Sequence, residues 1–229
     1  MRKKRLNSDA YAEHVRRNEL WDCDVDGCDK KRYRIANYCR AHEARYYRHG
    51  HAKMYQIRKK EFNYERELVK KIIHQNRDSV AVQAAIKVLK SMLEHAGGAP
   101  FAGNIIKHES SATRKHANRL LYDTEPINVL IEICAMRLFI HRDQLKVSSK
   151  IPPQQLKIEQ MAIGTAALYT VRLGKVRSPS GTVRKRFGYL MQRNLGNFIA
   201  NVVSTALRHI AKQEQIKAAM QSPLELPTN

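Results

Sequence analysis

Residues 23–51 read CDVDGCDKKRYRIANYCRAHEARYYRHGH and hold three of the chain's four cysteines together with three histidines. Cys23 and Cys28 are separated by four residues, Cys39 and His42 by two, and ten residues lie between the pairs. Short-spaced pairs of this kind suit a tetrahedral zinc ion, because each pair can converge on the metal from a tight turn or from the first turn of a helix. Gly27, directly before Cys28, can supply the positive φ of such a turn. Between the pairs, Tyr33, Ile35 and Tyr38 fit a short hairpin turning near Ala36 and Asn37. After Cys39 neither glycine nor proline occurs until Gly50, so a helix is allowed there. The first pair is surrounded by Asp22, Asp24, Asp26 and Asp29, and the segment offers too few apolar side chains to fold without a metal. Cys23, Cys28, Cys39 and His42 are therefore expected to fill all four positions of a structural Zn2+, leaving none for a water nucleophile.

The order of turn, hairpin and helix, with the last two ligands at the helix start, resembles a treble-clef zinc module. More narrowly, residues 21–51 resemble the N-terminal zinc module of HNH-type endonucleases of phages and mobile elements, in their order of Cys, Gly-Cys, Tyr-Cys, His, Arg and His-Gly. This resemblance implies a bound zinc and contact with DNA, and it extends to nothing outside that stretch. By the same resemblance a nuclease would need a histidine-bearing strand, an asparagine loop and a helix histidine. Residues 107–120, KHESSATRKHANRL, carry His108, His116 and Asn118 in surroundings that read as helix, and the strand pair is missing. Residues 206–213, ALRHIAKQ, resemble a fragment of a tyrosine-recombinase signature, with no nucleophile that can be placed. His49 and His51 invite a reading as paired nuclease ligands, with Tyr46, Tyr47 and Tyr55 nearby. The simpler reading is a last-turn histidine and a linker histidine around a helix-ending glycine. Glu65, Glu67 and Lys70 read as solvent-facing charges of one helix. No catalytic residue is assigned, and the reading leans away from an enzyme.

Outside this stretch the charge is decisive: 42 Lys and Arg against 21 Asp and Glu give a net +21 over 229 residues. Such a charge attracts polyanions, and nucleic acid is the leading partner, DNA ahead of RNA. Lys30, Lys31, Arg32, Arg34, Arg40, Arg45 and Arg48 cluster in and behind the metal stretch, interleaved with tyrosines as phosphate contacts and stacking platforms would be. Sequence readout is expected from Arg45 and Arg48. A second basic group, Arg172, Lys175, Arg177, Arg184, Lys185 and Arg186, flanks the turn signal Ser178–Gly181, and a projecting basic β-hairpin is expected there. The opening MRKKRLNSDA reads as a flexible phosphate-touching arm rather than a secretory signal. The longest nearly apolar run, Ile127 to Ile140, is shorter than the roughly 20 residues a bilayer requires, so no membrane role is expected. Three cysteines at metal spacing suit a reducing, cytoplasmic setting.

The rest of the chain is punctuated as helices. Leu68, Val69, Ile72 and Ile73 mark one over about 63–76. Asp78 reads as the N-cap of a second, closed by Gly97, Gly98 and Pro100. A third covers Ser111 to Tyr122; Thr124 and Pro126 open a fourth that is apolar on most faces. A fifth follows Pro152 and Pro153 over about 154–172, and a last one at about 189–220 carries Leu195, Phe198, Ile199, Val202, Val203, Ala206, Leu207 and Ile210. That stripe is read as core, with a homo-oligomer or partner-protein seam as the alternative. The expected protein is mainly α: an arm at 1–20, a treble-clef module at 21–50, a linker at 51–61, a helical domain at 62–220 and a tail at 221–229. Its expected function is non-catalytic nucleic-acid binding of phage or mobile-element type. The rivals are an assembly protein that docks on a partner or capsid-like lattice, and a divergent nuclease or recombinase.

Overall fold

The computed structural model of the chain describes residues 8–98, 109–146, 151, 156–170 and 179–221. Among these it contains eight α-helices and no strand: α1 (Ser8–Asn18), α2 (Arg40–His49), α3 (Asn63–Gln75), α4 (Val80–Gly97), α5 (Ser111–Tyr122), α6 (Pro126–Gln144), α7 (Leu156–Tyr169) and α8 (Gly181–Gln221), with a 3-10 turn at Lys59–Phe62 before α3. The mainly α expectation is met.

Local chemistry explains most boundaries. Ser79, rather than Asp78, caps α4: its Oγ accepts the Val82 N–H at 3.3 Å, and Gly98 closes the helix in the left-handed region at φ 97. Ser110 caps α5 by accepting the Thr113 N–H at 3.1 Å. Pro126 stands at the start of α6, where its missing N–H costs nothing.

The apolar pattern of α6 covers nearly its whole circumference, and twelve of its residues are buried. It is accordingly the central helix, touching α3, α4, α5, α7 and α8. The outer helices bury one stripe each: Val69, Ile72 and Ile73 from α3, and Val82, Ala85, Leu89, Met92 and Leu93 from α4. Leu195, Ile199, Val202, Val203, Ala206 and Ile210 of α8 belong to the same core, and Phe198 and Leu207 pack against it. From 211 to 218 every residue of α8 is exposed.

Helices α7 and α8 cross with their backbones touching. A Cβ at Gly188 would lie 1.7 Å from the Gln160 carbonyl oxygen, and one at Gly164 would lie 1.8 Å from that of Arg184. Two glycines facing each other are what permit this approach.

Three expectations are corrected. Residues Gly181–Arg186 are the first turns of α8 and not an arm of a hairpin. Ser180 accepts the Val183 N–H at 3.3 Å as a helix cap, and Val183, Phe187, Leu190 and Met191, all buried, continue the helical repeat toward the core. Residues 8–10 of the opening MRKKRLNSDA, expected to be flexible, are helical and begin α1; residues 1–7 and 222–229 lie outside the described residues. Glu65, expected in solvent, is buried and accepts from Arg142 of α6. The segment 51–61 is irregular but packed: Met54 joins the main core, and the Tyr169 hydroxyl donates to the Ile57 carbonyl at 2.5 Å.

Candidate metal centre

Chain segments on either side of a small knuckle bring the four predicted ligands together. Trp21 and Arg32 are joined by an N–H to carbonyl bond of 3.0 Å, Cys23 and Lys30 by another of 2.9 Å, and Asp22 and Lys31 form an isolated antiparallel bridge. The Cys28 N–H then closes a turn on the Val25 carbonyl at 3.0 Å, with Gly27 at φ 75 as its residue spacing anticipates. Cys39 is the N-cap residue of α2, and His42 lies in the first turn of that helix, so the i, i+3 spacing puts both on one face. The expected hairpin between the pairs is reduced to this single bridge and a tight turn in which the Ala36 N–H donates to the Tyr33 carbonyl at 3.0 Å.

The result is a Cys3His cluster whose ligand atoms, Sγ of Cys23, Cys28 and Cys39 and a ring nitrogen of His42, all lie within 4.8 Å of one another. His42 Nδ1 stands 3.3 Å from Cys23 Sγ and 3.4 Å from Cys39 Sγ, and the Cys28 and Cys39 sulfurs are 4.0 Å apart. Among the described residues no other group of three or more His, Cys, Asp or Glu side chains converges in this way. His49 and His51 stay outside it. Cys134 is fully buried in α6, and burial alone raises its thiol pKa.

Burial, local hydrogen bonds and neighbouring charges set proton binding at the cluster. At Cys28 the Lys30 N–H favours the thiolate, but burial and the Cys23 and Cys39 thiols outweigh it and push the pKa up. At Cys39 burial acts upward as well, yet the His42 and Ala41 N–H groups and the same neighbouring sulfurs carry it below the ordinary thiol value. A divalent cation among the sulfurs would stabilise neighbouring thiolates that otherwise repel one another. Burial first, and then the Arg45, Lys30 and Lys53 charges, lower the His42 pKa and so favour the neutral imidazole that a metal ligand must be. Cys23, Val25, Cys39 and Ala52 form their own small buried cluster, with Cys28, Tyr38 and Tyr46 against it. Four buried residues are too few to hold such a module without a cross-link.

The basic residues fall into two sets. Lys31 pairs with Asp22 at 2.9 Å, Lys53 with Asp26 at 2.7 Å, and Arg32 with Asp24. Lys30, Arg34, Arg40, Arg45 and Arg48 have no carboxylate partner among the described residues. Arg34 and Arg40 lie over the Tyr33 ring at 5.1 and 5.8 Å, and Arg45 over Tyr55 at 4.3 Å. Of the second predicted group, Arg172, Lys175 and Arg177 lie outside the described residues. Arg184 is buried, Arg186 bonds to Glu109, and Lys185 remains exposed. His108 also lies outside the described residues, while His116 is buried on α5.

Asn18 and Glu19 escaped the reading of the sequence. Asn18 Nδ2 donates to the carbonyls of Arg34 and Ala36, both at 2.7 Å, and Glu19 Oε1 accepts the Arg34 N–H at 3.2 Å. No motif announces such long-range ties.

Fold and site together define a mainly helical protein with a Cys3His cluster able to hold a metal ion. No family model, curated protein or solved structure matches the chain. Among the described residues no helix is long and apolar enough to cross a membrane.

Proposed function

We propose that Cys23, Cys28, Cys39 and His42 hold a structural Zn2+ in a treble-clef module, and that the module's basic face binds nucleic acid, DNA in preference to RNA. The donor set fits the ion. Zinc bonds of about 2.3 Å to sulfur and about 2.0 Å to nitrogen place tetrahedral ligands about 3.8 Å apart for sulfur pairs and about 3.5 Å for sulfur and nitrogen. The separations of 4.0, 3.3 and 3.4 Å lie within a few tenths of an ångström of those values. With four protein donors the metal's contribution is to cross-link the knuckle to the start of α2. The chain's own side chains then do the binding.

The observation that carries the nucleic-acid reading is the set Lys30, Arg34, Arg40, Arg45 and Arg48, whose charges no described carboxylate neutralises, arranged around the knuckle and along α2. Phosphates supply the missing counter-charge, and α2, carrying Arg45 and Arg48, is the element placed to reach base edges. In this reading the module is of the type found in HNH-type endonucleases of phages and mobile elements, serving here to bind rather than to cut.

The test is binding of zinc-loaded protein to labelled duplex DNA, single-stranded DNA and RNA across a salt series. Tight binding is expected, strongest for duplex DNA, with a steep logarithmic salt dependence that loses about 0.9 in slope for each phosphate contact removed by Lys30→Gln or Arg40→Gln. Negligible binding at physiological salt would overturn it.

A second reading is favoured by one feature: α8 runs on past Ile210 with every residue from 211 to 218 exposed, Ile216 among them. That end is available to a partner protein or a second copy. Light scattering of the nucleic-acid-free protein, with and without Ile216→Lys, tests it, and a concentration-independent monomer would count against it.

A further inference from the structure

The junction between α1 and the knuckle is built more firmly than a phosphate contact needs. The turn from Tyr33 to Tyr38 is closed by the Tyr33 N–H to the Tyr38 carbonyl at 2.9 Å and by the Ala36 N–H to the Tyr33 carbonyl at 3.0 Å. Asn18 clamps the carbonyls on both sides of Ile35, and Glu19 holds the Arg34 N–H. Arg34 is the single non-glycine described residue at positive φ, 53, a conformation that residues bearing a Cβ rarely adopt unless their surroundings enforce it.

What this braced turn presents is Ile35, 62% exposed. Leu20 and Trp21, at 74% and 65%, are exposed on the same corner, where the Trp21 carbonyl receives the Arg32 N–H. Arg34, next to Ile35 in the chain, and Arg40 both lie over the Tyr33 ring at the base of this turn, and neither has a carboxylate partner among the described residues. Phosphate contacts would use the arginines and leave the three apolar side chains in water. A rigid apolar tip beside two guanidinium groups suits something more specific: an aliphatic wedge that parts two stacked base pairs while the arginines hold nearby phosphates.

We propose that this corner is a base-step wedge for duplex DNA, with Ile35 inserted at the step and Arg34 and Arg40 on the flanking phosphates. The proposal rests on the nucleic-acid reading above and names how that surface engages its partner. At Ile35 itself the chemistry favours a duplex, because a branched aliphatic side chain has no π-face for a single-stranded base and instead fills the gap of an opened step; stacking of a single strand on the exposed Trp21 ring would not depend on Ile35.

The experiment uses the full zinc-loaded chain, duplexes carrying aminopurine, and the same duplexes end-labelled for energy transfer. The wild type is expected to raise aminopurine emission several-fold and to shorten the end-to-end distance. Ile35→Ala should abolish both changes at saturating protein while keeping the salt slope. Because Ile35 is exposed, zinc content and circular dichroism should not move. Arg34→Gly, which keeps the positive φ, should retain the emission change and lower the slope by about 0.9. Binding without any emission change, or an Ile35→Ala protein that opens the step as the wild type does, would overturn the wedge alone. Absence of binding to every nucleic acid would overturn it together with the reading on which it rests, and an Ile35→Ala change that instead broke a complex with another protein would assign the corner to a protein partner.

Discussion

His49 ends α2, where burial first, then the Arg184, Arg48 and Arg45 charges, pull its pKa down from 6.5 to about 4. Between those values the unfolded chain binds the proton that the folded chain refuses. Stability is therefore fully present above pH 6.5 and falls as the pH drops toward 4. Burial shifts His51 and His116 in the same direction, so the loss is shared. Replacing His49 by Gln is expected to shrink the fall in Tm between pH 7 and pH 5, and equal falls in both proteins would contradict this account. Glu65 makes a second case. Its carboxylate is buried and accepts from Arg142, whose guanidinium also lies 4.8 Å over the Tyr64 ring. Glu65→Ala should cost about 2–3 kcal/mol in urea unfolding, since it leaves a half-buried cation unpaired. Helical spacing places Glu65, Glu67 and Lys70 on one helix but cannot say which of them meets another element. The metal ligands are the opposite case, because cysteine pairs at those spacings have few other uses in a polar segment.

Some helix limits are legible from a cap or a breaker alone. Ser111–Tyr122 and the start of α6 at Pro126 coincide with their sequence signals. Ser79→Ala is expected to destabilise the protein by about 1 kcal/mol, read in the same urea titration, because Val82 loses its acceptor. The misreading at residues 178–186 has a physical origin: Ser-Gly is both a turn signal and a helix cap, and Val183 with Phe187 fits either a strand arm or an i, i+4 stripe. The decision falls to burial, since only the helix sends both side chains into the core together with Leu190 and Met191. The contact of α7 with α8 carries the strongest prediction at this scale. Gly188→Ala should cost about 3 kcal/mol or prevent folding, because the new methyl would overlap the Gln160 carbonyl. A thermal melt within a degree of wild type would show that the two helices do not meet as described.

At the scale of the molecule, two apolar clusters among the described residues are separate: a large one spanning α3 to α8, and the small one around the Cys3His site. Removing the proposed zinc with a chelator should accordingly loosen the knuckle while the large core persists. Trp21, the single tryptophan, sits in the knuckle and reports on it. Its emission is expected to shift on chelation while most of the helical circular dichroism stays, and a loss of all helix would show that the metal holds the entire fold. By itself the sequence determined the ligand quartet, the mainly helical class and the surplus of positive charge, because each is local: spacing, period and composition survive without a fold. Only tertiary packing settles which cations pair with a carboxylate, which glutamate is buried, that residues 181–186 belong to α8, and that Asn18 and Glu19 brace the turn bearing Ile35. Those outcomes depend on which groups meet across tens of residues, and hydrogen bonds and burial act on distance in space, for which neighbouring positions in the chain carry no signal.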